Sequence, residues 1–401
     1  MAQLTFLPQW PMSANPLALF GVLLLAGIIG GEVTQRVLRL PRITGYVLVG
    51  MVFGKSGVNL LDDKLIADAW IFVEIALGLV LFELGRRLDL GWFRRDPWLA
   101  VTGAAESVLA FGCISFALMY FDVQPLYAAV AAAIGVSTSP AVLMLVAKEL
   151  KAEGQVTERA LHLTAINNVI AFTLLTVLMS GIHNEYHAGG LTAVLHPVYL
   201  LGGSVLLGAV ASLVALALSR WLGKNQDRHY VVLLGMVVAT VGAARMLQLS
   251  VLLALLAFGV LVRYLDKRHD LDPVDTGRVG QLFFVVLFVV SGAKLALSDL
   301  ATGGTLALAF VLARFVGKAV GVMSFTYFSG VRAGTAGLLT IALTPMSGLA
   351  LALVHGTEEF YPEFGARLSA IVLAAVLILE LLGPLAVQFA LRRAGETGEE
   401  K

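Results

Sequence analysis

Long apolar stretches alternate with short polar connections along nearly the whole chain. A spanning helix needs about 20 mostly apolar residues, because the hydrocarbon core of a bilayer is about 30 Å thick and each helical residue rises about 1.5 Å. On this basis the pattern predicts thirteen membrane-spanning helices, near residues 16–35, 43–54, 67–85, 98–121, 125–149, 159–182, 192–218, 229–246, 249–265, 277–296, 303–328, 333–355 and 364–391. We therefore predict an all-α polytopic membrane protein that lies in the lipid bilayer.

The composition agrees with this pattern and excludes several classes of protein. Of the 401 residues 58% are hydrophobic and 14% charged, whereas a soluble chain carries about a quarter charged residues. The net charge of +1 gives no field that would attract nucleic acid. Cys113 is the single cysteine, so a disulfide within the chain and a cysteine metal site are excluded. The sequence shows no nucleotide-binding loop, metal-ligand cluster or nucleophile–base spacing, so we expect no cofactor and no enzymatic activity.

The positive charges predict how the helices cross the membrane. Most of the 28 Lys and Arg residues fall in alternate loops, which is the distribution that cytoplasmic loops show. With thirteen spans, this places the N-terminus outside and the C-terminus in the cytoplasm. Residues 1–393 then form one transmembrane domain, and residues 394–401 form a short cytoplasmic tail.

Two of the predicted helices carry a proline in mid-span next to small polar residues. The fifth reads GVSTSPA with Pro140, and the twelfth reads LTPMSG with Pro345. Proline removes a backbone donor and clashes with the preceding turn, so both helices are predicted to be discontinuous. Because the breaks lie seven helices apart, the two helices run in opposite directions. This is typical of an inverted repeat, here helices 1–6 and 8–13, and broken helices at corresponding positions point to a transport site.

Polar and ionisable residues collect at one depth near these breaks. Counting helical rise from the cytoplasmic ends places them about 12–16 Å deep, in the layer of the two prolines. Charged groups at this depth cost several kcal/mol unless they are paired or hydrated, so each one needs a role. The residues of this layer are Glu106, Asn167, Asn168, Lys318 and Glu380.

Three further assignments concern single side chains. Arg314 and Lys318 are four residues apart and so share one helix face. Arg314 and Glu380 are expected to support a charge network, while a desolvated Lys318 could exchange a proton. His162 lies near a helix end and could act as a pH sensor, although a histidine in such a place is commonly only structural.

The motifs around the breaks resemble those of the monovalent cation–proton antiporter superfamily. Residues 135–172 match its Thr-x-Pro helix break, its charged cytoplasmic link and its helix with an Asp-Asp or Asn-Asp pair. The match continues in the same order through residues 74–90, the Lys318 helix, the break at 344–353 and residues 380–384.

The resemblance implies a particular architecture and assembly. A core (helices near 98–182 and 303–391) would move against a panel (helices near 16–85 and 229–296), with a linker helix near 192–218. This motion would give elevator-like alternating access, and the panel would form a homodimer. We expect this protein in a bacterial inner membrane, with a monovalent cation and a proton as partners and no nucleotide-binding domain.

The chain departs from that family at the centre of the expected ion site. Asn168 stands where the family has the carboxylate that binds cation and proton in turn, and Ser139 is neutral as well. An amide offers an oxygen to a cation but does not carry a proton. Lys318 also lacks its usual acidic partner, because Asn167 occupies that position.

Three interpretations follow from this departure. In the first, exchange of Na⁺ or K⁺ for H⁺ persists, with the cation at Thr138, Ser139, Asn167 and Asn168, Glu106 as the displaced carboxylate and Lys318 as its partner. In the second, Arg314 and Lys318 leave the site positive and suited to an anion or anionic metabolite. In the third, the protein is a sensor or scaffold that does not transport.

Overall fold

The computed structural model describes residues 16–61, 63–186, 190–223, 226–266, 277–346, 348, 350–354 and 362–398, and every regular element among them is helical. Residues 34–38 continue the first helix as a π-helix, and residues 350–354 are also helical. The α-helices are α1 (Pro16–Val33), α2 (Arg42–Phe53), α3 (Asp63–Arg87), α4 (Leu90–Arg95), α5 (Pro97–Tyr120), α6 (Pro125–Val136), α7 (Pro140–Glu149), α8 (Gln155–Tyr186), α9 (Gly190–Leu222), α10 (Gln226–Met246), α11 (Val251–Leu265), α12 (Gly277–Lys294), α13 (Leu297–Thr326), α14 (Ala333–Ala342) and α15 (Pro362–Arg393).

The lengths and composition of these helices are those of an integral membrane protein. Each stretch that the sequence predicts to span the membrane overlaps at least one helix. Within the described ranges, nine segments are long and apolar enough to cross a bilayer, and α2, α11, α14 and part of α12 are shorter apolar helices. Many large apolar side chains point outwards, as lipid-facing side chains would.

Both predicted helix breaks are present in the structure. Residues 137–139 separate α6 from α7, and residues 343–346 follow α14. Pro140 is the first residue of α7, where its missing N–H costs nothing, and the Ser139 hydroxyl accepts a 3.3 Å hydrogen bond from the Val142 N–H. The Ser139 N–H donates to the Pro345 carbonyl at 2.9 Å, so the two breaks contact each other directly.

A close approach of α5 and α13 brings the charged residues of these helices together. A Cβ at Gly317 would lie 2.7 Å from the Ala110 nitrogen, and one at Gly321 would lie 2.9 Å from the Glu106 Cβ. Larger side chains at either glycine would push the helices apart. Small residues allow membrane helices to approach closely in the same way elsewhere. Glycine at these positions therefore sets Lys318 of α13 against Glu106 of α5.

The end of the chain packs on the loop before α8. The Glu396 carboxylate accepts hydrogen bonds from the Val156 N–H at 2.7 Å and the Thr157 N–H at 2.9 Å, and so caps the N-terminus of α8. The Gly398 N–H donates to the Leu150 carbonyl at 3.1 Å. The segment that the sequence treats as a tail is thus tied, as far as residue 398, to the helix that carries Asn167 and Asn168.

Candidate functional site

Arg314 connects the two helix breaks through backbone carbonyls. Its Nε donates to the Gly135 carbonyl at 2.7 Å and its Nη2 to the Ser137 carbonyl at 2.8 Å, both at the end of α6. Its Nη1 donates to the Thr344 carbonyl at 2.7 Å, just beyond α14. These are the negative ends of two helices, so a buried guanidinium is compensated there without a carboxylate partner.

Lys318 and Glu106 form an ion pair in the interior. The Lys318 Nζ donates to Glu106 Oε1, and the two side chains are 1% and 0% exposed. Nζ also donates to the Val136 carbonyl at 3.2 Å and to Thr138 Oγ1 at 3.1 Å. Lys318 thus has an acidic partner after all, supplied by α5 and not by Asn167.

Asn167 holds this pair in place from α8. Its Nδ2 donates to Glu106 Oε1 at 3.2 Å and to Thr138 Oγ1 at 3.1 Å. Its Oδ1 accepts from the Ser107 hydroxyl at 3.0 Å. Ser107 is not predicted from the sequence, because its one signal is its position next to Glu106 in an apolar helix, and small polar residues are common where membrane helices pack.

Asn168 presents a donor where a carboxylate would present an acceptor. Its Oδ1 accepts from the Thr138 N–H at 3.1 Å, which leaves the Nδ2 group on the other side. That Nδ2 is buried and has no hydrogen-bond partner among the described residues. An aspartate in the same rotamer could accept from Thr138 with one oxygen and keep the second for a cation, which the amide does not do.

One carboxylate oxygen in this cluster could accept a further ligand. Glu106 Oε2 is buried and accepts no hydrogen bond from any residue that the structure describes, whereas Oε1 accepts from Lys318 and Asn167. A carboxylate oxygen of this kind is a hard ligand that suits a small monovalent cation or a proton.

Glu380, which the sequence assigns to a supporting charge network, is buried without a direct ion-pair partner among the described residues. Within the described part of the chain, this fully buried carboxylate makes no ion pair or hydrogen bond with Arg314 or Lys318, and Arg314 binds carbonyls instead. The polar group that Glu380 faces is the Ser291 hydroxyl of α12, at a geometry short of a full hydrogen bond. Among the described residues Glu380 therefore forms no direct contact with either cation, and its part in a supporting charge network stays a prediction.

His162 also lies apart from the cluster, where α8 meets α4. Its Nε2 accepts a 3.1 Å hydrogen bond from the Asp89 N–H, and its Nδ1 donates to the Glu158 carbonyl at 2.8 Å. The ring packs edge-on against Trp92 at 4.6 Å. These contacts fix a neutral imidazole in a structural setting, and its use as a pH sensor stays a prediction.

The cluster combines a cation, a carboxylate, two amides and a hydroxyl where two broken helices meet. It offers groups that bind or exchange small ions, and no group of three or more His, Cys, Asp or Glu that could hold a metal ion occurs among the described residues. A helical membrane protein with such a centre belongs to the class of secondary transporters.

Within that class, the chain belongs to the sodium/hydrogen exchanger transmembrane family, which matches residues 20–393. This confirms the resemblance to the monovalent cation–proton antiporter superfamily. A relative from Synechocystis, the high-affinity Na⁺/H⁺ antiporter NhaS3, is 26% identical over 384 residues, which cover 80% of this chain and 81% of that protein. The Na⁺/H⁺ antiporter NhaS5 from the same organism is 31% identical over 108 residues, which cover 27% of this chain and 14% of the relative.

A solved structure has the same fold. The sodium proton antiporter MjNhaP1 from Methanocaldococcus jannaschii, in its structure at pH 8, superposes with a TM-score of 0.73 and 15% identity, covering 94% of this chain and 98% of that chain. A second structure of MjNhaP1, from an electron microscopy map, gives a TM-score of 0.70.

Proposed function

We propose that this protein exchanges a monovalent cation, Na⁺ or K⁺, for H⁺ across the membrane. Family membership supports the reaction class, and both Synechocystis relatives are named as Na⁺/H⁺ antiporters. The observation that carries the proposal is the buried ion pair of Glu106 and Lys318 beside the two helix breaks. It supplies a carboxylate in a chain whose usual acidic position holds Asn168.

Charge balance explains how this pair can exchange ions. An ionised Glu106 and a protonated Lys318 sum to zero. When a cation binds Glu106, the net charge of Glu106, Lys318 and the cation together becomes +1. It returns to zero only if Lys318 releases one proton to bulk water. A buried site strongly disfavours net charge, so cation binding and proton release at the pair are coupled one to one.

Glu106 and Thr138 are the cation ligands in this proposal. Glu106 Oε2 accepts no bond from the described residues, and Thr138 Oγ1 already contacts Lys318 Nζ at 3.1 Å. A cation that displaces Nζ would meet both oxygens. Asn167 positions Glu106, Ser139 fixes the break, and Asn168 holds the Thr138 backbone, so these three act as supports and not as the ligands first expected.

The wider architecture belongs to the same proposal. The helix positions and the fold match are consistent with thirteen spans, an N-terminus outside and an inverted repeat. They are also consistent with a core that moves against a panel and with a homodimer. The contact between the two breaks and the close pairing of α5 with α13 support the repeat, since these are the expected repeat mates. We place the protein in a bacterial inner membrane.

The test is exchange by purified protein in liposomes that contain a pH-sensitive dye. We expect Na⁺ or K⁺ to release protons in the wild type, and the Glu106→Gln variant to lose at least about 90% of that rate, because the amide cannot balance a cation. Glu83→Gln is the matched control, since Glu83 pairs with Arg87 at 3.5 Å at the end of α3. Unchanged exchange in Glu106→Gln would refute the assignment.

One observation favours a second candidate, an anion transporter. The Asn168 Nδ2 donor has no partner among the described residues and would suit an anion. The nearby positive charges are already compensated, however, because Lys318 pairs with Glu106 and Arg314 binds carbonyls. In the same liposomes this candidate requires a response that follows the anion and is lost in Lys318→Ala or Arg314→Ala. A single robust turnover of any ion excludes the sensor or scaffold interpretation.

A further inference from the structure

Glu380 is a buried carboxyl group that the exchange at Glu106 does not use. It lies in α15 and is 0% exposed, and neither of its oxygens has a hydrogen-bond partner of good geometry among the described residues. An ionised carboxylate without a partner is very costly to bury, so in this conformation the group is held as the neutral acid.

The charged groups of the neighbouring helices are engaged elsewhere. α15 packs against α13, α7 and α2 among others. On α13, Arg314 donates to carbonyls and Lys318 pairs with Glu106. Between α7 and α2, Glu149 accepts from the Arg42 backbone N–H at 3.3 Å, and the Arg42 guanidinium pairs with Glu32 at 3.2 Å. None of these groups neutralises Glu380, so a proton must do so.

Glu380 also lies between parts that the proposed transport motion separates. One turn further along α15, a Cβ at Gly383 would lie 2.9 Å from the Pro345 Cα, so this face of α15 packs on the second helix break. Ser291 of α12 faces Glu380, and a Cβ at Gly348 would lie 3.8 Å from the Ser291 hydroxyl oxygen. In the proposed architecture α15 is part of the core and α12 part of the panel.

We propose that Glu380, facing Ser291 across this boundary, is a second proton-binding site that carries one further proton in each transport cycle. The carboxylate takes up H⁺ from water on one side of the membrane, the neutral acid crosses with the core while it faces Ser291, and it releases H⁺ to water on the other side. The carboxylate then returns in the half of the cycle that carries the cation. The inference rests on the proposed exchange at Glu106. Together the two sites move two protons for each monovalent cation, so the exchange carries net charge.

The first arm of the test reads protonation directly and needs no transport. Infrared difference spectra of the reconstituted protein, taken between neutral and alkaline pH, report the C=O band of a protonated carboxylic acid. We expect a band that is present in the wild type and in Glu106→Gln and absent in Glu380→Gln. We expect it to shift in frequency in Ser291→Ala, where the facing hydroxyl is lost. A band of the same size in Glu380→Gln would overturn the proposal.

The second arm counts protons from the voltage dependence of exchange. The exchange rate of the wild type should change with an imposed membrane potential. Glu380→Gln should still exchange, but its rate should not depend on the potential, because its ratio of protons to cations falls to one to one. Glu380→Asp, which keeps the carboxyl group, should retain the response, and a cooperative unfolding transition in each variant shows that it is folded. An unaltered response in Glu380→Gln would overturn the inference. If the wild type moves no cation, the exchange at Glu106 fails instead, and the infrared arm still decides whether Glu380 takes up and releases a proton.

Discussion

At the scale of single residues, the direction in which an amide points decides what the centre of the site can bind. The Asn168 oxygen is used by the Thr138 N–H, so its NH₂ group occupies the place of a second carboxylate oxygen. A donor in that place repels a cation. In the proposed exchange the cation therefore gains no ligand from Asn168 and depends on Glu106 for its acceptor.

Restoring a carboxylate here should strengthen cation binding. In Asn168→Asp one oxygen keeps the Thr138 contact and the other faces the site, so we expect the apparent KM for the cation to fall about tenfold, equivalent to about 1.4 kcal/mol. The dye assay over a range of Na⁺ and K⁺ concentrations measures this. Asn168→Ala is the control, because it removes the donor without adding an acceptor. An unchanged KM in Asn168→Asp would show that the cation does not approach this position.

The sequence predicts the depth of these residues but not the direction of their side chains. Counting helical rise puts Glu106, Lys318 and Glu380 in one layer, and the structure does pair Glu106 with Lys318. Glu380 instead faces Ser291, because depth along a helix says nothing about rotation around it. The orientation of the Asn168 amide depends on the Thr138 N–H, which becomes available only when the helix breaks.

At the scale of helices, the breaks depend on Arg314. The prolines reveal both breaks in the sequence, since a mid-span proline must disrupt the backbone hydrogen bonds. The sequence does not reveal that the carbonyls released at both breaks bind the same guanidinium. That arrangement requires Gly135 and Thr344, which lie far apart in the chain, to meet one side chain of α13.

We therefore expect Arg314→Lys to destabilise the protein although it conserves the charge. An ammonium cannot reach the carbonyls of both helix ends as a planar guanidinium does, and each buried carbonyl left without a donor costs about 1–3 kcal/mol. Thermal unfolding in detergent would measure the loss. Arg36→Lys is the control, because the Arg36 side chain is 76% exposed and, within the described part of the chain, pairs with its helix neighbour Glu32. Such a pair contributes about 0.5 kcal/mol. Equal stability of the two variants would contradict this role for Arg314.

At the scale of the whole molecule, the proposed motion must break contacts between the second broken helix and α12. Gly348 follows the second break, and a Cβ there would lie 3.0 Å from Leu287 and 3.8 Å from the Ser291 oxygen, both on α12. These atoms would separate whenever the core moves past the panel.

A disulfide between residues 348 and 291 should therefore stop exchange. A Cβ at Gly348 would lie 3.8 Å from the Ser291 hydroxyl oxygen, close enough for two cysteine side chains to meet. Oxidation of Gly348→Cys/Ser291→Cys, in a chain with Cys113→Ala, should therefore join the two parts and abolish cation-dependent proton release, which a reductant should restore. Lys151→Cys/Gly398→Cys is the matched control. A Cβ at Gly398 would lie 3.2 Å from the Lys151 Cβ, and both residues belong to the core and its docked C-terminal segment. Oxidation of the control pair should leave exchange intact, because no boundary is bridged. Full exchange by the oxidised 348–291 pair would mean that α12 and the second broken helix move as one body, and the elevator-like motion would have to be abandoned.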